Sequence, residues 1–340
     1  MSKVLIIAEA GVNHNGDMDM ARQLVVAAAA AGADYVKFQT FKTEKLVSKE
    51  AKQADYQKKN MASESDSQFA MLKKLELSVD QHHELIDYCK TKDIQFLSTA
   101  FDLESVDLLN SLGIELFKIP SGEITNLPYL KKIGALKKRV IVSTGMCVME
   151  EIVAAVDELV KAGTSRDKIS ILHCTTDYPT AMQDVNLRAM VAIQQRLNLP
   201  VGYSDHTMGI EVPIAAAAMG ASIIEKHFTL DRNLPGPDHK ASLEPAELKS
   251  MVRAIRNVEL ALGSATKQPT TTEKKNMLVA RKSIHLVADL SKGHILSEKD
   301  LVMKRPGDGI SPMEMEKVIG KKLKGDLKSE HKLMWNDILN

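Results

Sequence analysis

Cysteine is scarce in this chain. There are three in 340 residues, Cys89, Cys147 and Cys174. They lie far apart and match neither a CxxC nor a zinc-finger spacing. A disulfide framework and a structural zinc site are thereby excluded, and the thiols read as small buried hydrophobes. Cys174 alone stays open, because it follows His173 at a strand end. Aromatics are only 4% of the residues, with one tryptophan, Trp335, so a stacking platform for single-stranded nucleic acid is not expected. Charge of one sign is missing too: 45 Lys plus Arg against 44 Asp plus Glu leave a net +1. That balance provides no general attraction to nucleic acid or an anionic membrane. The longest apolar run, Leu24–Ala31, falls far short of the roughly 20 residues that span a bilayer. The opening MSKVLIIAEAG runs into a strand pattern without a secretory segment, and a cytoplasmic location is expected.

What is present is a repeating march of short β-branched runs and longer helical patterns. Strands are predicted at Val4–Ala8, Tyr35–Gln39, Gln95–Thr99, Leu116–Ile119, Val140–Ser143, Ile169–His173, Val201–Ser204 and Ile223–His227. Helical stretches between them include Met18–Ala31, Ser105–Leu112, Glu150–Ala162, Leu187–Leu197, Pro213–Met219 and Glu244–Leu262. Near-continuous apolar strands separated by helices are what a parallel sheet covered on both faces requires. Eight such units predict an α/β fold, a closed (β/α)8 TIM barrel over residues 1–265. The polar segment from Ser48 to Ser67 is too long for a simple βα loop and reads as a lid, a contact surface or a solvated insertion. Residues 266–281 read as a Thr- and Lys-rich linker, and 282–340 as a small second domain. A module of that size has a marginal core alone, so it is expected to pack on something else, with a fully independent module as the alternative.

In a TIM barrel the active site gathers at the C-terminal strand ends. Read in order, those ends deliver Glu9 with Asn13, His14 and Asn15; Lys37 and Gln39; Thr99 and Phe101; Lys118, Ser121 and Glu123; Ser143; His173 to Tyr178; Ser204 to Thr207; and Glu225 to His227. A single hydroxyl after a strand is often just a helix cap. Two lysines are different, because a buried ammonium without an anion costs several kcal/mol, on the order of the usual ion-desolvation penalty. Lys37 and Lys118, ringed by Thr99, Ser121, Ser143 and Ser204, therefore look like a cradle for a phosphate and a carboxylate. His206 and His227 follow adjacent strands, about 4.8 Å apart, and can share one metal ion with an open coordination sphere. Asp205 and Glu225 are read as carboxylates that orient those rings. His14 and His173 read as structural.

The segments IAEAGVNHNG, VKFQTFK, FKIPSGE, STGM, HCTTDYP, GYSDHT, IEKHFTLD and GPDHKAS resemble, in order, the motifs of the sialic acid (nonulosonic acid) synthases. The tail KRPGDGISP is similar to their C-terminal antifreeze-like (SAF) domain. The resemblance implies condensation of phosphoenolpyruvate with an open-chain N-acetylated mannosamine-type sugar and water, giving a nine-carbon 2-keto acid and phosphate. Carried over by motif, it implies that Lys37, Thr99, Lys118, Ser121, Ser143, Thr176 and Ser204 hold phosphoenolpyruvate. It implies a divalent metal on His206 and His227, Mn2+ first and Mg2+ or Co2+ as alternatives, and an acid/base or electrostatic role for Glu123 beside Lys118. Asn15, Gln39, Phe101, Tyr178 and Asp238 match sugar contacts. Arg305 matches an arginine that reaches into the partner's barrel, which implies a domain-swapped homodimer.

Three positions depart from the family pattern: Ala100 where Pro is common, Thr176 where some relatives carry Asn, and Asn15 where others have Glu. The phrases FDLESVDLL and FKIPSGEITNLPYL look closest to bacterial synthases that use 2,4-diacetamido-2,4,6-trideoxymannose to make N,N'-diacetyllegionaminate. N-acetylmannosamine, giving N-acetylneuraminate, is the close alternative, since one methyl shifts specificity by only about 1–3 kcal/mol. Two remote alternatives remain: a Schiff-base aldolase using Lys37, Lys118 or Lys226, and a non-catalytic sugar-binding relative.

Overall fold

The computed structural model describes residues 3–48, 50–51 and 67–339. It divides into two compact units, Met1–Gly263 and Ser264–Asn340. Most of the polar segment from Ser48 to Ser67 lies outside the described residues.

The first unit is a closed barrel of eight parallel strands: β1 (Leu5–Gly11), β2 (Tyr35–Thr40), β3 (Gln95–Ala100), β4 (Leu116–Ile119), β5 (Arg139–Ser143), β6 (Ile169–His173), β7 (Val201–Asp205) and β8 (Ile223–His227). Each strand pairs with its neighbour in sequence, and β1 closes the ring on β8 with Leu5 opposite Ile223 and Glu9 opposite His227. The expected TIM-type α/β architecture is what the chain adopts. Helices between the strands are bounded by local chemistry. Asp17 caps Met18–Ala31 by accepting from the amides of Asp19 and Met20, and Gly32 ends that helix at φ 82°. Ser78 and Gln81 form a capping box that starts a helix at Val79–Thr91.

The period of two along each strand sorts the side chains. One set, including Ile6, Ala8, Val36, Phe38, Phe117 and Ile119, faces the helices and builds the larger core. The alternate set faces the barrel axis, where Ile7, Leu97, Leu116, Ile141, Leu172 and Ile223 make an apolar floor. Each such fully buried aliphatic side chain contributes about 1.5–3 kcal/mol. Gly202 completes this floor because nothing larger fits: a Cβ there would sit 2.2 Å from the Ile223 carbonyl oxygen and 2.6 Å from Leu172. Gly202→Ala is accordingly expected to destabilise the barrel by about 1–3 kcal/mol, measured by thermal or denaturant unfolding. A wild-type midpoint in that variant would show that the floor has slack.

The second unit pairs β9 (Ser283–Leu286) antiparallel with β10 (Leu301–Lys304). It holds a cluster of its own, including Ile284, Leu286, Leu296, Leu323 and Leu333. The stretch read as a plain linker contains a helix, Thr271–Ala280. Its Thr- and Lys-rich composition hides a capping box in which Thr270 accepts from the Glu273 amide and Glu273 accepts from the Thr270 amide. Among the described residues, no helix is long and apolar enough to cross a membrane.

Candidate active site

Two residues above the apolar floor, the same inward-facing set turns polar: Glu9, Lys37, Thr99, Lys118, Ser143, Ser204 and Glu225. One step higher stand Gln39, Phe101, Thr176, His206 and His227. Together these residues line a cavity of about 490 Å³ at the C-terminal strand ends. All seven residues read as a phosphoenolpyruvate cradle lie on this one wall, as do Gln39, Phe101, Tyr178 and Asp238 among the sugar positions.

The lower layer is a buried quartet of charge. Lys37 Nζ lies 2.8 Å from Glu9 Oε2 and 3.7 Å from Glu225 Oε2, and it donates to Thr99 Oγ1 at 2.9 Å. Lys118 Nζ donates to both oxygens of Glu225 at 2.7 and 2.9 Å, while the Ser204 hydroxyl donates to Glu225 Oε1 at 2.8 Å. Burial pulls the Lys118 ammonium down despite Glu225, whereas Glu225 and Glu9 outweigh burial at Lys37 and hold it up. Burial opposes the charge on Glu225 as well, but Lys118 and Lys37 keep that carboxyl well below its usual range. Glu9 goes the other way: burial pushes it up to about 7 against the pull of Lys37. Of the two carboxyls in the quartet, Glu9 is the one at which burial prevails and favours the protonated form.

His206 and His227 stand above this layer with ring centroids 5.4 Å apart. Burial drives both imidazoles toward the neutral form, His206 down to about 4 and His227 well below its usual value. His206 Nδ1 donates to the Thr175 carbonyl at 2.7 Å, which fixes the tautomer and leaves the Nε2 lone pair available. Among the described residues His227 Nδ1 is buried without a hydrogen-bond partner, 4.0 Å from Asp238 Oδ2. Two neutral imidazoles, one of them oriented by a backbone carbonyl, suit a divalent metal. Among the described residues, no cluster of three or more His, Cys, Asp or Glu adds further ligands, so such an ion would keep open positions. The Tyr178 ring packs over His206 at 4.1 Å.

Several sequence readings need correction. Asp205 and Glu225 do not orient the histidines. Asp205 faces away from the cavity, where Oδ2 accepts from Lys226 Nζ at 2.5 Å and Oδ1 from the Thr207 amide at 3.0 Å. Glu225 serves the lysines instead, and the Thr175 carbonyl holds His206. Glu123 does not line the cavity: the 3-10 turn Ser121–Glu123 keeps Ser121 on the wall but directs the carboxylate to Asn126 Nδ2, which donates to it at 2.5 Å. Asn15 is also off the wall, bound to Pro235 and His239. Arg305 is not among these corrections: it lies in the second unit, as its sequence position implied, where Nε donates to the Ala280 carbonyl at 3.0 Å. Lys226 is fully buried behind the barrel wall, so a Schiff-base role for it has no access to substrate. Glu9 and Glu225, placed by sequence at the strand ends, pair with the two lysines, a pairing that their shared parity with Lys37 and Lys118 marks. Cys174 also reaches the cavity, with Sγ 3.3 Å from Ser121 Oγ.

A parallel barrel whose strand ends present two lysines paired with carboxylates, hydroxyls and two neutral imidazoles defines a (β/α)8 enzyme with a charged cavity. The chain belongs to the NeuB family of sialic acid synthases, whose family model matches residues 24–267, and it carries an SAF domain at residues 281–339. It is 54% identical to the N,N'-diacetyllegionaminic acid synthase of Campylobacter jejuni over 94% of this chain and 96% of that one. It is 49% identical to the enzyme of the same name from Legionella pneumophila, over 98% and 94%. Among solved structures, the N-acetylneuraminic acid synthetase of Leptospira borgpetersenii is similar with a TM-score of 0.71 and 33% identity, covering 81% of this chain and 90% of that one.

Proposed function

We propose that this protein is an N,N'-diacetyllegionaminate synthase, condensing phosphoenolpyruvate and water with 2,4-diacetamido-2,4,6-trideoxymannose and releasing phosphate. The observation that carries the reading is near-full-length identity of 54% to a synthase of that name, joined to a cavity whose wall bears the cations and hydroxyls such an anion needs.

Lys37 and Lys118, with Thr99, Ser121, Ser143, Thr176 and Ser204, bind the phosphate and carboxylate of phosphoenolpyruvate. The arriving anion draws both ammonium groups away from Glu9 and Glu225, and Glu9 offsets the added negative charge by holding a proton. Gln39, Phe101, Tyr178 and Asp238 orient the acceptor so that its aldehyde carbon meets C3 of phosphoenolpyruvate. His206 and His227 would hold a divalent ion, Mn2+ in our reading with Mg2+ or Co2+ as alternatives, which would supply Lewis acidity to the acceptor's aldehyde. Water adds at C2, and the C2–O bond to phosphate breaks. By the resemblance, Glu123 in the turn after β4 takes the acid/base or electrostatic part near that carbon, and Glu9, raised by burial, is a further carboxyl on the cavity wall. By the resemblance of KRPG, the active unit is a domain-swapped homodimer in which Arg305 of one subunit contacts the sugar in the other, and the reaction runs in the cytoplasm.

The test is phosphate release from phosphoenolpyruvate in the presence of Mn2+, with each of two acceptors. The 2,4-diacetamido-6-deoxy sugar is expected to give kcat/KM at least about tenfold above N-acetylmannosamine, the range one or two pocket contacts provide. EDTA or His206→Ala is expected to abolish release. Preference for N-acetylmannosamine would replace the reading with an N-acetylneuraminate synthase. Release insensitive to EDTA would remove the metal from it, and borohydride trapping of pyruvate on a lysine would revive the aldolase.

A further inference from the structure

The loop after β8 carries Asp238 into the cavity, and its anchor is the segment that follows β1. At its base, Asn13 Nδ2 donates to the Phe228 carbonyl at 2.9 Å and to Ser242 Oγ at 3.0 Å. Ser242 Oγ in turn donates to the main-chain oxygen of Asp238 at 2.7 Å. At its tip, Asn15 sits in the left-handed region at φ 51° and uses both ends of its amide. Nδ2 donates to the Pro235 carbonyl at 2.9 Å, while Oδ1 lies 3.2 Å from His239 Nε2.

The chemistry of this contact admits one arrangement. A carbonyl can only accept, so Pro235 fixes which end of the amide is the donor. Oδ1 then needs a donor, which makes His239 the Nε2–H tautomer, and its Nδ1 accepts from Thr229 Oγ1 at 2.6 Å in competition with the more distant Asp231 carbonyl at 3.2 Å. His239 is buried and stays neutral, its pKa pushed down to about 4 by burial. Gly236 closes the unit: a Cβ there would stand 2.5 Å from the His239 ring and 3.0 Å from Asn15 Oδ1. An acidic residue at position 15 would have no hydrogen to give Pro235.

We propose that Asn15, His239 and Gly236 form a latch that sets where Asp238 stands in the cavity, so that Asn15 is a positioning residue for the acceptor sugar and never touches it. This rests on the synthase reading for the identity of the ligand, but the latch itself does not. It also accounts for an asparagine at a place where the motif resemblance suggested a sugar contact: residue 15 acts on acceptor recognition through the loop.

Asn15→Asp keeps the size and the acceptor but loses the donor, and Gly236→Ala presses on the same histidine from the other side. Both variants of the full-length protein are expected to raise the KM for the 2,4-diacetamido-6-deoxy acceptor about tenfold, the effect of one lost hydrogen bond. The KM for phosphoenolpyruvate is expected to stay within about twofold, a split that general loss of structure would not give. Hydrogen exchange in the ligand-free protein is expected to speed up in peptides covering 229–242 and nowhere else. A raised acceptor KM in Asn15→Asp with Gly236→Ala silent would mean direct contact with the sugar and overturn the proposal. Unchanged exchange in 229–242 would overturn it as well. Absence of turnover in the wild-type protein would sink the synthase reading instead, and the exchange result would still decide the latch.

Discussion

Lys118→Met is expected to lower kcat/KM for phosphate release by at least about a thousandfold and to destabilise the barrel at the same time. Both effects come from one atom. Lys118 Nζ is a cavity cation, and removing a preorganised charge from a buried site costs about 10²–10³ in rate even for a single neutral donor. It is also the nearest cation to Glu225, which it meets through both carboxylate oxygens at 2.7 and 2.9 Å. Without it Glu225 keeps only Ser204 at 2.8 Å and Lys37 at 3.7 Å, so a buried carboxylate is left under-compensated. Breaking a buried pair on one side costs about 3–5 kcal/mol, and the surviving Lys37 places this case at the lower end. The double variant Lys118→Met, Glu225→Gln separates the two roles. Taking out both charges is expected to restore most of the lost stability while activity remains absent. A double variant no more stable than the single one would mean that the pair is not coupled. Near wild-type turnover in either would mean that the cradle is not where phosphoenolpyruvate binds.

Much of this site was legible because a strand has a period of exactly two residues and the barrel has one axis. Ile7 and Glu9, Leu97 and Thr99, Leu116 and Lys118, Ile141 and Ser143, Ile223 and Glu225 are successive inward positions, apolar floor then polar layer. The same rule explains the first misreading. Asp205 and Lys226 are each one residue out of phase with Ser204 and Glu225, so they face the helices. Adjacency in sequence to His206 suggested a partnership for Asp205 that this phase forbids, whereas Glu225 shares its phase with His227 and is drawn to Lys118 and Lys37 instead. Glu123 and Asn15 fall outside the strands, in a 3-10 turn and at a left-handed residue, where direction depends on the turn rather than on a period. The helix Thr271–Ala280 was hidden for another reason. It has no apolar face to read, with all its residues partly or fully exposed, and only its Thr270–Glu273 cap announces it.

Lys226→Met is the variant expected to cost the most stability for a residue with no place in the reaction. The Lys226–Asp205 pair has zero exposure on both side chains. Lys226 Nζ also donates to the Thr207 carbonyl at 2.5 Å, and Asp205 binds the Thr207 amide and hydroxyl, each at 3.0 Å. Every polar atom of this cluster is therefore satisfied inside the protein, so losing the lysine strands a carboxylate with no water to replace it. Burial pulls the Lys226 ammonium down, but Asp205 opposes this strongly, and pairing is what makes the cation tolerable there. The expected loss is about 3–5 kcal/mol, a fall in melting temperature on the order of 10 °C. Lys3, whose partner Asp34 is bound at 2.6 Å but whose own side chain is 62% exposed, provides the contrast. Lys3→Met is expected to change stability by no more than about 1 kcal/mol. The joint variant Lys226→Met, Asp205→Asn is expected to regain part of the loss, since an uncharged pair removes the stranded carboxylate. Equal melting temperatures for Lys226→Met and the wild type would show that water reaches Asp205, and the cluster would then not be the anchor that holds β7 to β8 beneath the two histidines.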